Sequence, residues 1–167
     1  MMRAVAAGDR MVAVVWVCVI AIDLSCVAPV RAQTSGDFNL GIDHFGLEAG
    51  LPGLYITDMS VTDDGRLWLN ASGQLVSFDG LEFETHDLDR FPSEDKTLRA
   101  VAGGRGDTLW VVLGQELYAY VGGRPSPRAH YDGLIRKVWQ DDAGRIWAWD
   151  DKGALRLGDD GFERVVR

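Results

Sequence analysis

The sequence predicts an all-β, β-propeller-like chain of about three four-stranded antiparallel blades that form an incomplete ring. Three observations carry this. Trp68, Trp110 and Trp147 recur at steps of 42 and 37 residues, a period near 40 that marks propeller repeats. An aliphatic residue stands twelve before each Trp (Ile56, Leu98, Ile135) and another directly before it (Leu67, Leu109, Ile146). Gly- and Asp-marked turns separate short runs rich in branched and aromatic residues, which is how antiparallel strands and their hairpins read.

The repeat extends beyond the tryptophans. Met59, Val101 and Val138 share one position, and Leu75, Leu117 and Leu155 follow their tryptophans by seven or eight residues. Gly65 and Gly144 sit three before Trp68 and Trp147, where a turn needs a residue that tolerates positive φ. Asp79-Gly80, between Phe78 and Leu81, reads as a type I′ hairpin, with Gly122-Gly123 in the matching place after Tyr120. The expected organisation is a signal peptide at 1–32, a lead-in at 33–54, blade 1 at 55–96, blade 2 at 97–133 and an incomplete blade 3 at 134–167. Trp68, Trp110, Trp147, Gly65, Gly144, Leu75, Leu117 and Leu155 are its structural marks.

Composition is that of a globular protein: 167 residues, 47% hydrophobic and 25% charged. The first 32 residues differ. Arg3 and Arg10 precede and flank an apolar run from Met11 to Ile22, and Val30-Arg31-Ala32 offers small residues for cleavage before Gln33. This is the pattern of a cleavable secretory signal, and it predicts a periplasmic or secreted product. Both cysteines, Cys18 and Cys26, lie within it, so the exported chain is expected to fold without disulfides. Removing three Arg and two Asp takes the net charge from −8 to −9. That balance argues against nucleic acid and against contact of the exported segment with anionic membranes.

The blade pattern resembles the two-component regulator propeller repeat. Ile56, Asp63-Asp64-Gly65, Leu67-Trp68, Leu75 and Phe78-Asp79-Gly80 match its successive places, and Phe45-Gly46-Leu47-Glu48-Ala49-Gly50-Leu51-Pro52 resembles the segment that opens the first blade. Asp132-Gly133-Leu134 repeats part of that segment before the third unit. Two departures are the stretch Leu69-Asn70-Ala71-Ser72-Gly73-Gln74 after the first Trp and a second unit lacking the Asp-Gly turn. The resemblance implies an extracytoplasmic sensor region of a hybrid histidine kinase or a diguanylate cyclase, in a family linked to extracellular glycans. Three units are fewer than the 4–8 blades of closed propellers, so the expectation is an N-terminal fragment without an output module. Self-association through open blade edges is the other way to cover such faces.

No catalytic constellation is recognisable, and no cofactor is implied. Asp63-x-Gly65-x-x-Trp68 and Asp142-x-Gly144-x-x-Trp147 also resemble Asp-box hairpins, in which the Asp holds a turn and the Trp packs between strands. The pairs Asp63-Asp64, Asp141-Asp142, Asp150-Asp151 and Asp159-Asp160 fall at turns and read as solvated carboxylates rather than as a glycosidase pair or, with Asn70, a calcium site. His44, His86 and His130 show no metal-ligand spacing. Asn70-Ala71-Ser72 is a formal glycosylation sequon. Trp139 and Trp149 have no aromatic counterpart in the other units and are the candidate surface for a small-molecule or glycan ligand. The expected function is a ligand-sensing, signal-input propeller. Alternatives are a secreted glycan-acting hydrolase or lyase, and an interaction module closed by oligomerisation.

Overall fold

The computed structural model describes residues 43–165. The expected signal peptide, its cleavage after Ala32 and the first part of the lead-in lie outside them. Twelve strands form three four-stranded antiparallel sheets, each paired in simple chain order. Blade 1 holds β1 (Ile56–Val61), β2 (Leu67–Ala71), β3 (Gln74–Phe78) and β4 (Phe83–His86). Blade 2 holds β5 (Leu98–Gly103), β6 (Leu109–Leu113), β7 (Glu116–Val121) and β8 (Arg124–His130). Blade 3 holds β9 (Lys137–Gln140), β10 (Ile146–Asp150), β11 (Gly153–Gly158) and β12 (Gly161–Arg164). The three sheets do not close on themselves, and β1, β5 and β9 lie side by side as the inner strands.

Each sheet buries one face against the next, and the packing explains the burial patterns. Every residue of β6 is buried, because blade 2 has a neighbour on both sides. β1 instead alternates half-buried with exposed, since one of its faces meets blade 2 and the other does not. The core between blades 1 and 2 holds Trp68 and Leu75 from blade 1 against Val101, Leu109, Val111 and Tyr118 from blade 2. The core between blades 2 and 3 holds Trp110, Val112 and Leu117 against Val138, Ile146, Ala148 and Leu155. A third cluster, Leu51 with Leu69, Ala71 and Val76, lies where the lead-in covers blade 1.

The turns follow the sequence in part. Gly65 and Gly144 adopt φ of +83° and +85°, the left-handed region that a Cβ disfavours. Gly122-Gly123 forms a two-residue turn between the paired residues Val121 and Arg124. Asp79-Gly80 does not form the expected type I′ hairpin. Phe78 pairs with Phe83, so four residues make the loop. Asp79 does not take positive φ; its side chain accepts the N–H groups of Leu81 and Glu82 at 2.9 and 3.0 Å. This Asx-type cap satisfies the wider loop from the side chain.

Candidate functional site

The seams between blades are built by one rule. Trp68 projects from β2 towards blade 2, and Trp110 projects from β6 towards blade 3. They are 7% and 9% exposed. Each indole N–H must find an acceptor in a place without water. Trp68 donates to Thr62 Oγ1 at 3.2 Å, and Trp147 donates to Asp141 Oδ2 at 2.9 Å. Both acceptors stand six residues before their Trp.

In blade 2 that position is Gly104, which has no side chain. Gln140 of blade 3 reaches in, and its Oε1 accepts from Trp110 at 3.5 Å and from the Arg105 N–H at 2.8 Å. A Cβ on Gly104 would lie 2.7 Å from Trp110 Nε1 and 3.1 Å from Gln140 Oε1. The absent side chain is what admits the neighbour's amide.

Further polar ties join the inner strands. Asp58 Oδ2 accepts the Val101 N–H at 3.0 Å, and Ser60 Oγ accepts the Gly103 N–H at 2.7 Å. Asp58 also ion-pairs with Lys137 of blade 3, so one carboxylate touches all three inner strands.

The candidate residues Trp139 and Trp149 lie on the face of blade 3 that carries Trp147, turned away from blade 2. Trp139 pairs directly opposite Trp147 across β9 and β10, and their rings stack at 6.2 Å with an interplanar angle of 9°. Trp139 is 37% and Trp149 50% exposed, and Trp147 is half-buried. Arg145 lies 5.7 Å over the Trp147 ring. The positions equivalent to Trp139 are Ser60 and Ala102, and those equivalent to Trp149 are Asn70 and Val112. All four belong to filled seams. The three tryptophans therefore form the seam face of blade 3, open among the described residues.

A second feature was not legible in the sequence. A cleft of about 330 Å³ opens between blades 1 and 2. His86, at the end of β4, is central to it. Its Nε2 lies 2.8 Å from Ser77 Oγ, and its Nδ1 lies 3.2 Å from Tyr120 OH. Its ring is 4.8 Å from Trp68 and 5.8 Å from Tyr120. Burial pushes the His86 pKa below the usual imidazole value, so the neutral ring is favoured. Arg66, Arg90, Asp64, Glu84 and Asp107 complete the lining. The cleft thus combines aromatic surface with paired cations and carboxylates.

The acidic pairs are not uniformly solvated, contrary to the sequence reading. Asp150 is buried, and Arg164 grips both its oxygens at 3.0 and 2.7 Å. Tyr131 also donates to it. Arg164 holds this carboxyl well below the ordinary range. The Trp147 indole, with Arg145, holds Asp141 at a pKa of about 2. Asp63 accepts the Gly106 N–H of blade 2 at 2.8 Å. Asp63, Asp141 and Asp150 are thus seam and strand fasteners, while Asp142, Asp159 and Asp160 are exposed. Asn70 is likewise committed: it is buried, donates to Leu98 O at 2.9 Å and accepts from the Gly73 N–H at 3.1 Å. Burial removes it as an accessible glycosylation acceptor or calcium ligand. Among the described residues, no three His, Cys, Asp or Glu side chains converge as a metal site. His44, His86 and His130 stand apart.

No protein-family model and no curated protein sequence matches the chain. Solved structures do resemble it. The extracellular domain of BT3049 from B. thetaiotaomicron, described as a hybrid two component system, matches with a TM-score of 0.57 and 20% identity, over 74% of this chain and 20% of that one. The extracellular domain of BT4673 from the same organism, described as a one component system, matches with 0.57 and 18%, over 74% and 18%. Virginiamycin B lyase from Staphylococcus aureus matches with 0.52 and 15%, over 65% and 40%. This chain spans about a fifth of the length of the first two. At these identities the likeness establishes a β-propeller-type fold.

Proposed function

We propose that this chain is an extracytoplasmic signal-input region of a propeller receptor of the two-component type, and that a small polar ligand binds in the His86 cleft. The observation that carries the reading is the three-blade arc. Its repeat resembles that of such receptors, and solved extracellular domains of signalling systems share its geometry over most of the described residues. The apolar run before Gln33 supports export.

The cleft favours a ligand class. Arg66 and Arg90 present guanidinium donors beside the carboxylates Asp64, Glu84 and Asp107, and Tyr120 and Trp68 supply flat apolar surface. Sugars bind to such mixtures of aromatic faces and planar polar groups, and the two arginines suit one bearing a carboxylate. The blades on either side each contribute to the walls, so an occupant that bridges them couples to the angle between them. That is a route by which binding becomes a conformational signal.

Titrating the exported segment with neutral, acidic and amino sugars tests this, with the His86 imidazole resonances and the thermal midpoint as readouts. The expected result is that an acidic sugar shifts the His86 signals and raises the midpoint, and that Arg90→Ala abolishes both effects. Binding that leaves His86 unmoved, or turnover of the sugar during the titration, contradicts the reading.

A further inference from the structure

We infer that Ser77, His86 and Tyr120 form a hydrogen-bond chain that runs one way, from Ser77 through His86 to Tyr120, and that it fixes the Tyr120 hydroxyl as a donor into the cleft, so that Tyr120 selects a ligand group that accepts. The inference rests on the reading of the His86 cleft as the ligand site and names what that site demands of its occupant.

Strand pairing brings the three side chains together inside the seam between blades 1 and 2. Ser77 of β3 lies directly opposite Trp68, whose ring is turned towards blade 2. His86 ends β4 opposite Leu75, on the same face. Tyr120 comes from β7 of blade 2. The imidazole therefore stands between two hydroxyls, with Ser77 Oγ 2.8 Å from Nε2 and Tyr120 OH 3.2 Å from Nδ1.

A neutral imidazole has one N–H donor and one bare nitrogen that accepts. Burial favours the neutral ring here, against the pull of Glu84 and with that of Arg66 and Arg90. Both contacts are then satisfied in two ways. Tyr120 donates to Nδ1 while Nε2–H donates to Ser77, or Ser77 donates to Nε2 while Nδ1–H donates to Tyr120.

The two ends decide between them. Ser77 is 1% exposed, and among the described residues its hydroxyl meets no acceptor other than Nε2. In the first arrangement its proton is buried without a partner, a loss that water does not repair there. In the second that proton is used, and the free one belongs to Tyr120, which lines the open cleft. The second arrangement is therefore the stable one, and it makes His86 an Nδ1–H tautomer.

Tyr120 then faces its occupant as a donor. Among the described residues its hydroxyl has no hydrogen bond besides that to His86. A Cβ on Gly123 would lie 3.9 Å from Tyr120 OH and 4.0 Å from Arg90 Nη1, so the hydroxyl and the guanidinium border one corner of the cleft. A carboxylate oxygen seated there satisfies both donors. An ammonium group satisfies neither.

Nitrogen-15 NMR of residues 33–167, with labelled imidazoles and well above the ordinary imidazole pKa, tests this. The His86 signals are assigned by their loss in His86→Gln. The expected result is a protonated Nδ1 and a bare Nε2 in the parent and in Tyr120→Phe. Ser77→Ala, with unchanged far-UV circular dichroism, is expected to move the proton to Nε2. A bare Nδ1 in the parent, a signal averaged over both tautomers, or a tautomer that Ser77→Ala leaves in place overturns the inference, and the parent spectrum decides even without the variants. With galacturonate as probe, Tyr120→Phe is expected to weaken binding by about tenfold, the worth of roughly one hydrogen bond. Equal affinity of parent and Tyr120→Phe overturns the selection by Tyr120. No binding to the parent contradicts the ligand reading and with it the selection, whereas the tautomer, read in the free chain, still decides the direction of the hydrogen bonds.

Discussion

Trp147 donates its indole N–H to Asp141 at 2.9 Å, and Asp141 stands six residues before it. The same spacing joins Trp68 to Thr62. Trp68 and Trp147 thus carry their own acceptor on the preceding turn, whereas Trp110 takes its acceptor from Gln140 of the next blade. The repeat is one of paired donor and acceptor, not of tryptophan alone.

Acid sensitivity follows from that pairing. The Asp141 pKa is lowered from the model-compound value of 3.8 to about 2, so its stabilising effect is present above pH 4 and is lost as pH falls through about 2. Asp150, also lowered by Arg164, acts in the same direction. Urea midpoints measured at pH 7 and pH 2.5 are expected to fall less between the two for Asp141→Asn than for the parent chain, after starting lower at pH 7.

Gly104 is a position where one methyl group is expected to disturb the seam. It is buried, and a Cβ there meets Trp110 Nε1 and Gln140 Oε1 at 2.7 and 3.1 Å. Gly104→Ala is expected to destabilise by about 1–3 kcal/mol, the usual cost of overpacking. Gln140→Leu, which removes the acceptor of the Trp110 N–H, is expected to cost about 1–3 kcal/mol as an unsatisfied donor does. Chemical denaturation of both variants and of the double variant measures the coupling, which is expected to be less than additive.

The tryptophans rank by seam. Trp68→Ala and Trp110→Ala are each expected to cost about 3–5 kcal/mol, as loss of a buried aromatic does. Trp147→Ala is expected to cost less, because Trp147 is only half-buried among the described residues. Equilibrium unfolding in urea checks the order.

Two histidines are expected to titrate on opposite sides of the ordinary value of 6.5. His130 sits between Glu116 at 2.7 Å and Asp132 at 2.9 Å, which raise its pKa. Its stabilising effect is present below pH 6.5 and is lost as pH rises through the folded-state value. His86 is lowered, chiefly by burial, so its effect is present above pH 6.5 and declines as pH falls towards the folded-state value. Proton NMR of the two imidazoles resolves both directions, and His130→Gln and His86→Gln are expected to remove the respective slopes of thermal midpoint against pH.

The blade pattern was readable because a period near 40 survives on both faces of each sheet: the tryptophans face the following blade, and the aliphatics beside them face the other way. Met59, Val101 and Val138 show this: one column of aliphatics holds one register position of β1, β5 and β9. What stayed hidden depends on contacts between blades. Nothing local in Gly104 announces that Gln140, 36 residues later, will stand in for its missing side chain. Asp150 reads as a turn residue like Asp159, and only the return of β12 brings Arg164 onto it. His86 is a lone imidazole in sequence, and Tyr120 reaches it from another sheet. The Asp79-Gly80 pair misled because its dipeptide fits a tight hairpin, while the stacking of Phe78 on Phe83 at 4.5 Å selects the wider loop. Trp139 and Trp149 stood out as unusual residues, and their meaning came from the strand pairing that places them beside Trp147.

The central claim is that Trp68 and Trp110 each fill the seam to the following blade, while the Trp147 face has no blade against it among the described residues. Fluorotryptophan NMR of residues 33–167, with solvent isotope shifts in light and heavy water, tests it directly. The account predicts small shifts for Trp68 and Trp110, an intermediate one for Trp147, and the largest for Trp139 and Trp149. A Trp68 or Trp110 signal as solvent-sensitive as that of Trp149 would contradict it.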